Sequence, residues 1–225
     1  SSFRDEFSDI PYVNHLCLAN GINYFISTYY TYSTMVPCIV YVYDMIPEIF
    51  GYDFRSPMWA QKGRCLANGK HFVCISQNTE KDFKRFYPNK QSHCLSYCGL
   101  DTQRFNQLDD SVIEALQINK PFFISIATNT DVYKNAAALI KLFDLHSSLF
   151  RVFNFVCLSD KFHQNPGIKW APNVSEAQLT SLYRKSIGLI QPSLYEGFGL
   201  PVIEAMYHRK NVLACDNSAT SEIGL

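Results

Sequence analysis

This sequence carries no surplus of charge: Lys plus Arg number 20 and Asp plus Glu number 20. A general nucleic-acid binder shows a basic footprint, so the balance excludes that class. Long apolar runs are missing too. The longest, near Val36–Tyr43, is broken by Pro37 and falls short of the ~20 residues that a membrane helix needs. Ser1–Ile10 mixes both charge signs and holds no apolar h-region, so it does not read as a signal peptide. Metal-binding spacings are absent. There is no C-x-x-C, no D-x-D triplet, and no H-x-x-x-H or H-E-x-x-H among the six histidines (15, 71, 93, 146, 163 and 208). A protein without a resident metal is expected. Nor is there a G-x-G-x-x-G dinucleotide fingerprint: Val202 stands where its third small residue belongs.

What is present is enough material for a core. Apolar residues make up 47 % and charged residues 18 %, the balance of a folded chain. At roughly 100–200 residues per domain, 225 residues make one large domain or two small ones. Of the eight cysteines, Cys38, Cys74, Cys157 and Cys215 lie in or beside apolar runs, where a thiol packs as a small hydrophobe. Cys94 and Cys98 have no second pair at zinc-site spacing. Reduced core thiols point to the cytoplasm.

Strand-like and helix-like segments alternate. The strand candidates are Ile22–Ser27, Cys38–Asp44, His71–Ser76, His93–Tyr97, Pro121–Thr128, Val152–Leu158, Gly188–Gln191 and Asn211–Asp216. They are short and nearly continuous in apolarity, as parallel strands covered on both faces are. Helices are expected over Pro57–Asn68, Thr79–Phe86, Tyr133–His146, Ser175–Lys185 and Leu200–His208. Thr79 with Asp82 and Ser175 with Gln178 stand at capping-box spacing, Leu139, Leu142 and Phe143 share one face, and Pro201 suits a first turn. Repeated β-α alternation implies an α/β fold with parallel sheets. Gly99–Asn119 is polar and lacks a strong strand, so it reads as a linker that splits the chain near residue 110.

The chemistry concentrates in Ser193–Glu204, between an apolar strand and a helix. Gly197 and Gly199 allow a tight turn and close approach of a ligand. The backbone N–H groups of Phe198, Gly199 and Leu200 are expected to point outward at the helix start, where partial positive charge suits a phosphate. Glu196 and Glu204 bracket the turn, and an ionised carboxylate accepts from two neighbouring hydroxyls at once. Hydroxyls on either side of a diphosphate describe a sugar nucleotide. A Gly-rich turn with incidental acids is the plainer alternative.

The segment Glu196-Gly-Phe-Gly-Leu-Pro with Glu204 at E-x(7)-E spacing resembles the family 4 glycosyltransferases, retaining enzymes of the two-domain glycosyltransferase-B fold. Asp44-Met-Ile-Pro-Glu48, Cys74–Asp82, Cys98–Phe105 and Tyr133-Lys-Asn135 are similar to further family segments, in the family's order. The resemblance implies that Glu196 contacts the transferred sugar and Lys134 neutralises the donor diphosphate, these two being the catalytic candidates. It implies that Glu204 holds the nucleotide ribose beside the turn Gly197, Phe198, Gly199 and Leu200. The donor would be a nucleotide-diphosphate sugar and the acceptor a glycan or lipid-linked glycan in polysaccharide assembly, met in the cytoplasm or at the inner face of the membrane. No cofactor, metal or nucleic acid enters. Two family features are missing: Ile126–Val132 holds no Arg or Lys as a second diphosphate partner, and Tyr43 stands where many members place a His before Asp44.

Acceptor-side candidates are Asp44, for which a turn-stabilising role is the alternative, and Tyr29 and Tyr30, which either stack on sugar faces or simply pack. Two Rossmann-like lobes are expected. Residues 1–110 form an acceptor-side lobe, partial against the family pattern, with its linker; residues 111–225 form the nucleotide-sugar lobe, short of its last helices. The gap invites a protein partner that completes the first lobe. Other readings are a truncated, non-catalytic nucleotide-sugar-binding or partner subunit, another reaction on the same fold, and a plain nucleotide-binding module.

Overall fold

A computed structural model describes residues 6–126, 132–159 and 167–224, apart from the side chains of residues 6–8, 93 and 143. His163, the end of the strand candidate Pro121–Thr128, and the side chains of His93 and Phe143 lie outside the described set. The chain divides into two compact units, Ser1–Tyr97 and Cys98–Leu225.

The first unit runs α1 (Glu6–Ala19), β1 (Phe25–Ser27), β2 (Cys38–Val42), α2 (Ile46–Ile49), α3 (Pro57–Asn68), β3 (His71–Cys74), α4 (Gln77–Phe86) and β4 (Ser92–Leu95). Its four strands are parallel and lie in chain order, β1-β2-β3-β4. The core of this unit is built from Val40, Val42, Phe72, Cys74, Leu66 and Phe83. Helix α1 escapes the sequence reading because its apolar residues do not keep to one face and Pro11 interrupts it. Helix α4 starts two residues before the expected Thr79. Ser76 is extended at φ −157° and its hydroxyl accepts the Thr79 N–H at 3.0 Å, so Ser76 is the cap. The expected partner Asp82 takes the Asn78 amide instead, at 3.0 Å.

The second unit contains a 3₁₀ turn (Thr102–Phe105), α5 (Ser111–Ala115), β5 (Phe122–Ser125), a second 3₁₀ turn (Val132–Lys134), α6 (Ala136–Leu145), α7 (Leu149–Val152), β6 (Asn154–Leu158), β7 (Ile168–Ala171), α8 (Glu176–Lys185), β8 (Gly188–Gln191), α9 (Leu200–Tyr207), β9 (Asn211–Ala214) and α10 (Ser218–Ile223). Its parallel sheet has the order β7-β6-β5-β8-β9. Along β6, Val156 and Leu158 pack with Leu182 of α8 and Val202 and Ala205 of α9, while Phe155 and Cys157 pack with Leu139 of α6 and Phe150 of α7. Both faces are covered, which is why the strands read as continuous apolar runs. Strand β7 is missed in the sequence because Lys169 interrupts a run of only 4 residues at the sheet edge. The capping box of Ser175 and Gln178 is formed as expected.

Residues 98–110 belong to the second unit, so the division falls after Tyr97 rather than near 110. The reason is packing. Phe105 is 1 % exposed against Tyr207 and His208, and the Asp109 N–H donates to Ser181 Oγ at 2.9 Å. A polar composition concealed these anchors.

No disulfide joins the eight cysteines, all of which lie among the described residues. Burial pushes the thiols of Cys65 and Cys74 up to about 11. A thiolate is the reactive form, so both are inert near neutral pH. Iodoacetamide applied to native protein at about pH 8 is expected to modify exposed Cys94 first, and Cys65 and Cys74 only after unfolding. Peptide mapping of the alkylated sites checks the order.

Among the described residues, no helix is long and apolar enough to cross a membrane.

Candidate functional site

In the second sheet the chain passes outward from β5 through β6 to β7, then returns to the other side of β5 as β8 and β9. Where strand order reverses in a parallel sheet, the loops leaving two neighbouring carboxyl ends turn to opposite faces and a crevice opens between them. Here that point lies between β5 and β8. Lys134 follows β5, and Glu196 follows β8. Residues 127–131, the middle of the stretch without Arg or Lys, lie outside the described set.

The two loops are tied together. The Leu194 N–H donates to the Tyr133 carbonyl at 2.7 Å, and the Asn135 side-chain amide to the Pro192 carbonyl at 3.1 Å. Lys134 Nζ reaches Glu196 Oε1 at 2.7 Å. Gln191, at the end of β8 and 1 % exposed, donates from Nε2 to the same Oε1 at 2.8 Å and to Ser193 Oγ at 2.9 Å. The Glu196 N–H donates to Ser218 Oγ at 2.9 Å. Glu196 is 7 % exposed, so its charge sits largely out of water and depends on these donors. Backbone strain gathers here as well: Asn135 has φ 54° and Ser218 φ 48°, left-handed values that cost a non-glycine residue energy and persist where the surroundings enforce them.

Gly199 heads α9 at φ 102°, ψ 46°. A side chain there would be strained, and its Cβ would stand 3.0 Å from Ile223 Cδ1. Gly197 and Phe198 are buried, and Leu200 is exposed. Further along the helix, Glu204 accepts from the Tyr183 hydroxyl at 2.9 Å and faces Arg104 Nη1 at 3.4 Å. Burial raises its pKa, while the Tyr183 hydrogen bond and the Arg104 charge pull it back. The two acids that bracket the turn thus gather separate partners, Lys134 and Gln191 for one, Tyr183 and Arg104 for the other.

In the first unit the Asp44 carboxylate accepts the Ile46 N–H at 2.9 Å, a turn-stabilising bond. Beside it lies Lys62, 1 % exposed, which pairs with Glu48 at 2.6 Å, donates to the Asp44 carbonyl at 3.0 Å and faces the Asp44 carboxylate at 3.7 Å. The second oxygen of Glu48 accepts from the Tyr87 hydroxyl at 3.1 Å. Tyr30 is 5 % exposed and belongs to the core, with its hydroxyl pKa raised by burial; the Tyr29 ring lies tilted against it, centroids 4.4 Å apart, and is open to solvent. Among the described residues, no three His, Cys, Asp or Glu side chains group as metal ligands would.

Sequence reasoning missed Gln191, Ser218, Tyr183, Arg104 and Lys62. Arg104 lies in the quoted segment Cys98–Phe105, but its partner Glu176 stands 72 positions away, beyond any local spacing. Lys62 carries a signal after all: it is a lone lysine on the buried side of an amphipathic helix.

The sequence profile of the family described as Glycosyl transferases group 1 matches residues 110–223. The chain belongs to this family. The matched stretch of this glycosyltransferase chain holds Lys134, Glu196 and Glu204, and leaves out Arg104 and the first unit. The serotype-specific mannosyltransferase WbdA of Escherichia coli is 27 % identical over 220 residues, 83 % of this chain and 26 % of that protein. The chain therefore spans about a quarter of the length of the curated relatives it matches. Among solved structures, sucrose-phosphate synthase from Thermosynechococcus elongatus covers 99 % of the chain, which spans 64 % of it, at a TM-score of 0.65 and 14 % identity. Anabaena HepE, in complex with UDP and glucose, covers 94 %, with 64 % of its own chain matched, at 0.66 and 13 %. These likenesses establish the α/β fold with two parallel sheets, of the glycosyltransferase-B type.

Proposed function

We propose that this chain binds a nucleotide-diphosphate sugar on its second unit and takes part in moving the hexosyl group to a glycan or lipid-linked glycan with retention of configuration. The observation that carries this reading is the Lys134–Glu196 pair, 2.7 Å apart and largely buried, on the two loops that leave the switch point of the sheet. As the bond from the anomeric carbon to the diphosphate oxygen breaks, negative charge builds on the departing phosphate. A fixed cation beside it lowers the barrier because the charge is greater in the transition state than in the bound donor. Lys134 supplies that cation, and the Gly199 turn brings backbone close to the phosphates. The acceptor hydroxyl attacks from the face the phosphate leaves. Its proton passes to the departing phosphate oxygen, so no protein base and no resident metal enters the step.

Glu196 holds hydroxyls of the hexose: its Oε1 is occupied by Lys134 and Gln191, and a carboxylate has further acceptor positions. Glu204 takes the ribose. Of the first-unit candidates, exposed Tyr29 is kept for the acceptor, while Asp44 serves its turn and Tyr30 the core. Relatives named as mannosyltransferases make mannose the first hexose to try, in polysaccharide assembly. Ligand-observed NMR with UDP-, GDP- and ADP-linked hexoses tests the reading. One donor class is expected to bind, with affinity reduced by about tenfold or more in Glu204→Ala. Binding of no donor, or binding indifferent to Glu204→Ala, would sink it.

A further inference from the structure

We propose that Arg104 is a positioning residue for Glu204: from the start of the second unit it holds that buried carboxylate charged and oriented to accept a ribose diol. The inference rests on the ribose role given to Glu204 above. Its grounds are geometric. The guanidinium of Arg104 divides its donors between two acids. Nε and Nη2 grip Glu176 at 2.5 and 2.8 Å, and Nη1 faces Glu204 Oε1 at 3.4 Å. The Glu176 side chain is 60 % exposed and that of Glu204 only 6 %, so one acid anchors the fork at the rim while the other receives its charge inside. The fork is held from behind as well. Asp101 caps the 3₁₀ turn by accepting the Gln103 N–H at 3.0 Å, and Phe105 pins the turn in the core.

The partner count explains what this does for a ligand. A carboxylate offers about four acceptor positions, two on each oxygen. Here Tyr183 takes one on Oε2 and Arg104 faces one on Oε1, which among the described residues leaves one per oxygen. That suits two vicinal hydroxyls, the 2′ and 3′ groups of a ribose. It also requires the ionised form, because a protonated carboxyl turns one acceptor into a donor. Burial works against that form and so does neighbouring Glu176, while Tyr183 and Arg104 support it. His208, which caps α9, stacks on the Tyr183 ring; its backbone N–H donates to the Glu204 carbonyl at 3.1 Å, and its imidazole Nε2 has no hydrogen-bond partner among the described residues, so the ring brings the carboxylate no donor from that nitrogen. Without Arg104, Glu204 therefore takes up its proton at higher pH.

Isothermal titration of UDP and GDP, each beside its 2′,3′-dideoxy analogue, into wild type, Arg104→Lys and Arg104→Gln between about pH 5 and 8 tests this. Wild type is expected to prefer the diol nucleotide. Arg104→Gln should lose about tenfold of that preference, with diol binding falling off at higher pH as the medium is acidified. Arg104→Lys should restore the pH profile and only part of the affinity, since it keeps the charge and loses the fork. Equal weakening of diol and dideoxy nucleotides at every pH, or no change in either, would overturn the role of Arg104 and leave the site reading standing. A wild type that does not distinguish diol from dideoxy nucleotide, or binds neither, would remove the ribose role of Glu204 and this inference with it.

Discussion

Lys134→Met is expected to lower donor turnover by about 10²–10³-fold, the usual effect of deleting one fixed electrostatic contact to transition-state charge. Methionine keeps the length and apolar stem of lysine and removes only the cation. Because the charge on the departing phosphate is largest at the barrier, kcat should fall more than KM rises. Glu196→Gln is expected to be comparably damaging, since it ends the ion pair with Lys134 and leaves the amide of Gln191 facing another amide. As the two residues act as a unit, the double variant should be little worse than either single one. Steady-state kinetics on the three variants checks this. Unchanged kcat in Lys134→Met would contradict the assignment of the leaving-group cation.

The second large effect concerns stability of the first unit. Lys62→Met is expected to destabilise it by about 3–5 kcal/mol, the cost of removing one partner from a buried ionic cluster. Lys62 stands against two carboxylates, and the Glu48 side chain is itself only 7 % exposed. Without the ammonium, Glu48 keeps the Tyr87 hydroxyl as its one partner among the described residues, and Asp44 loses the cation beside its turn. For a unit of this size the melting temperature should drop by more than about 12 °C. Hydrogen exchange on peptides from the first unit measures the loss where it occurs. Adding Glu48→Gln should recover part of it, because the second substitution removes a charge left uncompensated by the first. A Lys62→Met protein with unaltered exchange would show that the cluster carries no net stabilisation.

The ionic clusters of the two units were not equally legible. Glu196, Glu204 and Lys134 stand out because the reaction chemistry ties residue types to short spacings, E-x(7)-E around a double glycine above all. Their partners do not. Gln191 and Ser218 approach Glu196 from a strand end and from the start of α10, and Arg104 approaches Glu204 from within the first 3₁₀ turn. No sequence period links them, since each contact is made by the way helices pack on the sheet. Tyr30 shows the converse: an aromatic and hydroxyl-rich run leaves sugar stacking and plain packing both open, and the fold divides its two neighbouring tyrosines, one packed into the core and the other in solvent.

Alternation of short apolar runs with capped amphipathic segments determined the α/β class, most of the strands and the turn at Gly199, because local backbone preference and burial on both faces of a parallel sheet leave direct traces in residue order. Sheet order, the reversal between β5 and β8, the division after Tyr97 and the donors that hold the two glutamates were decided only in three dimensions. They depend on contacts between residues far apart in the chain, whose energies are set by desolvation and geometry rather than by neighbouring residue types.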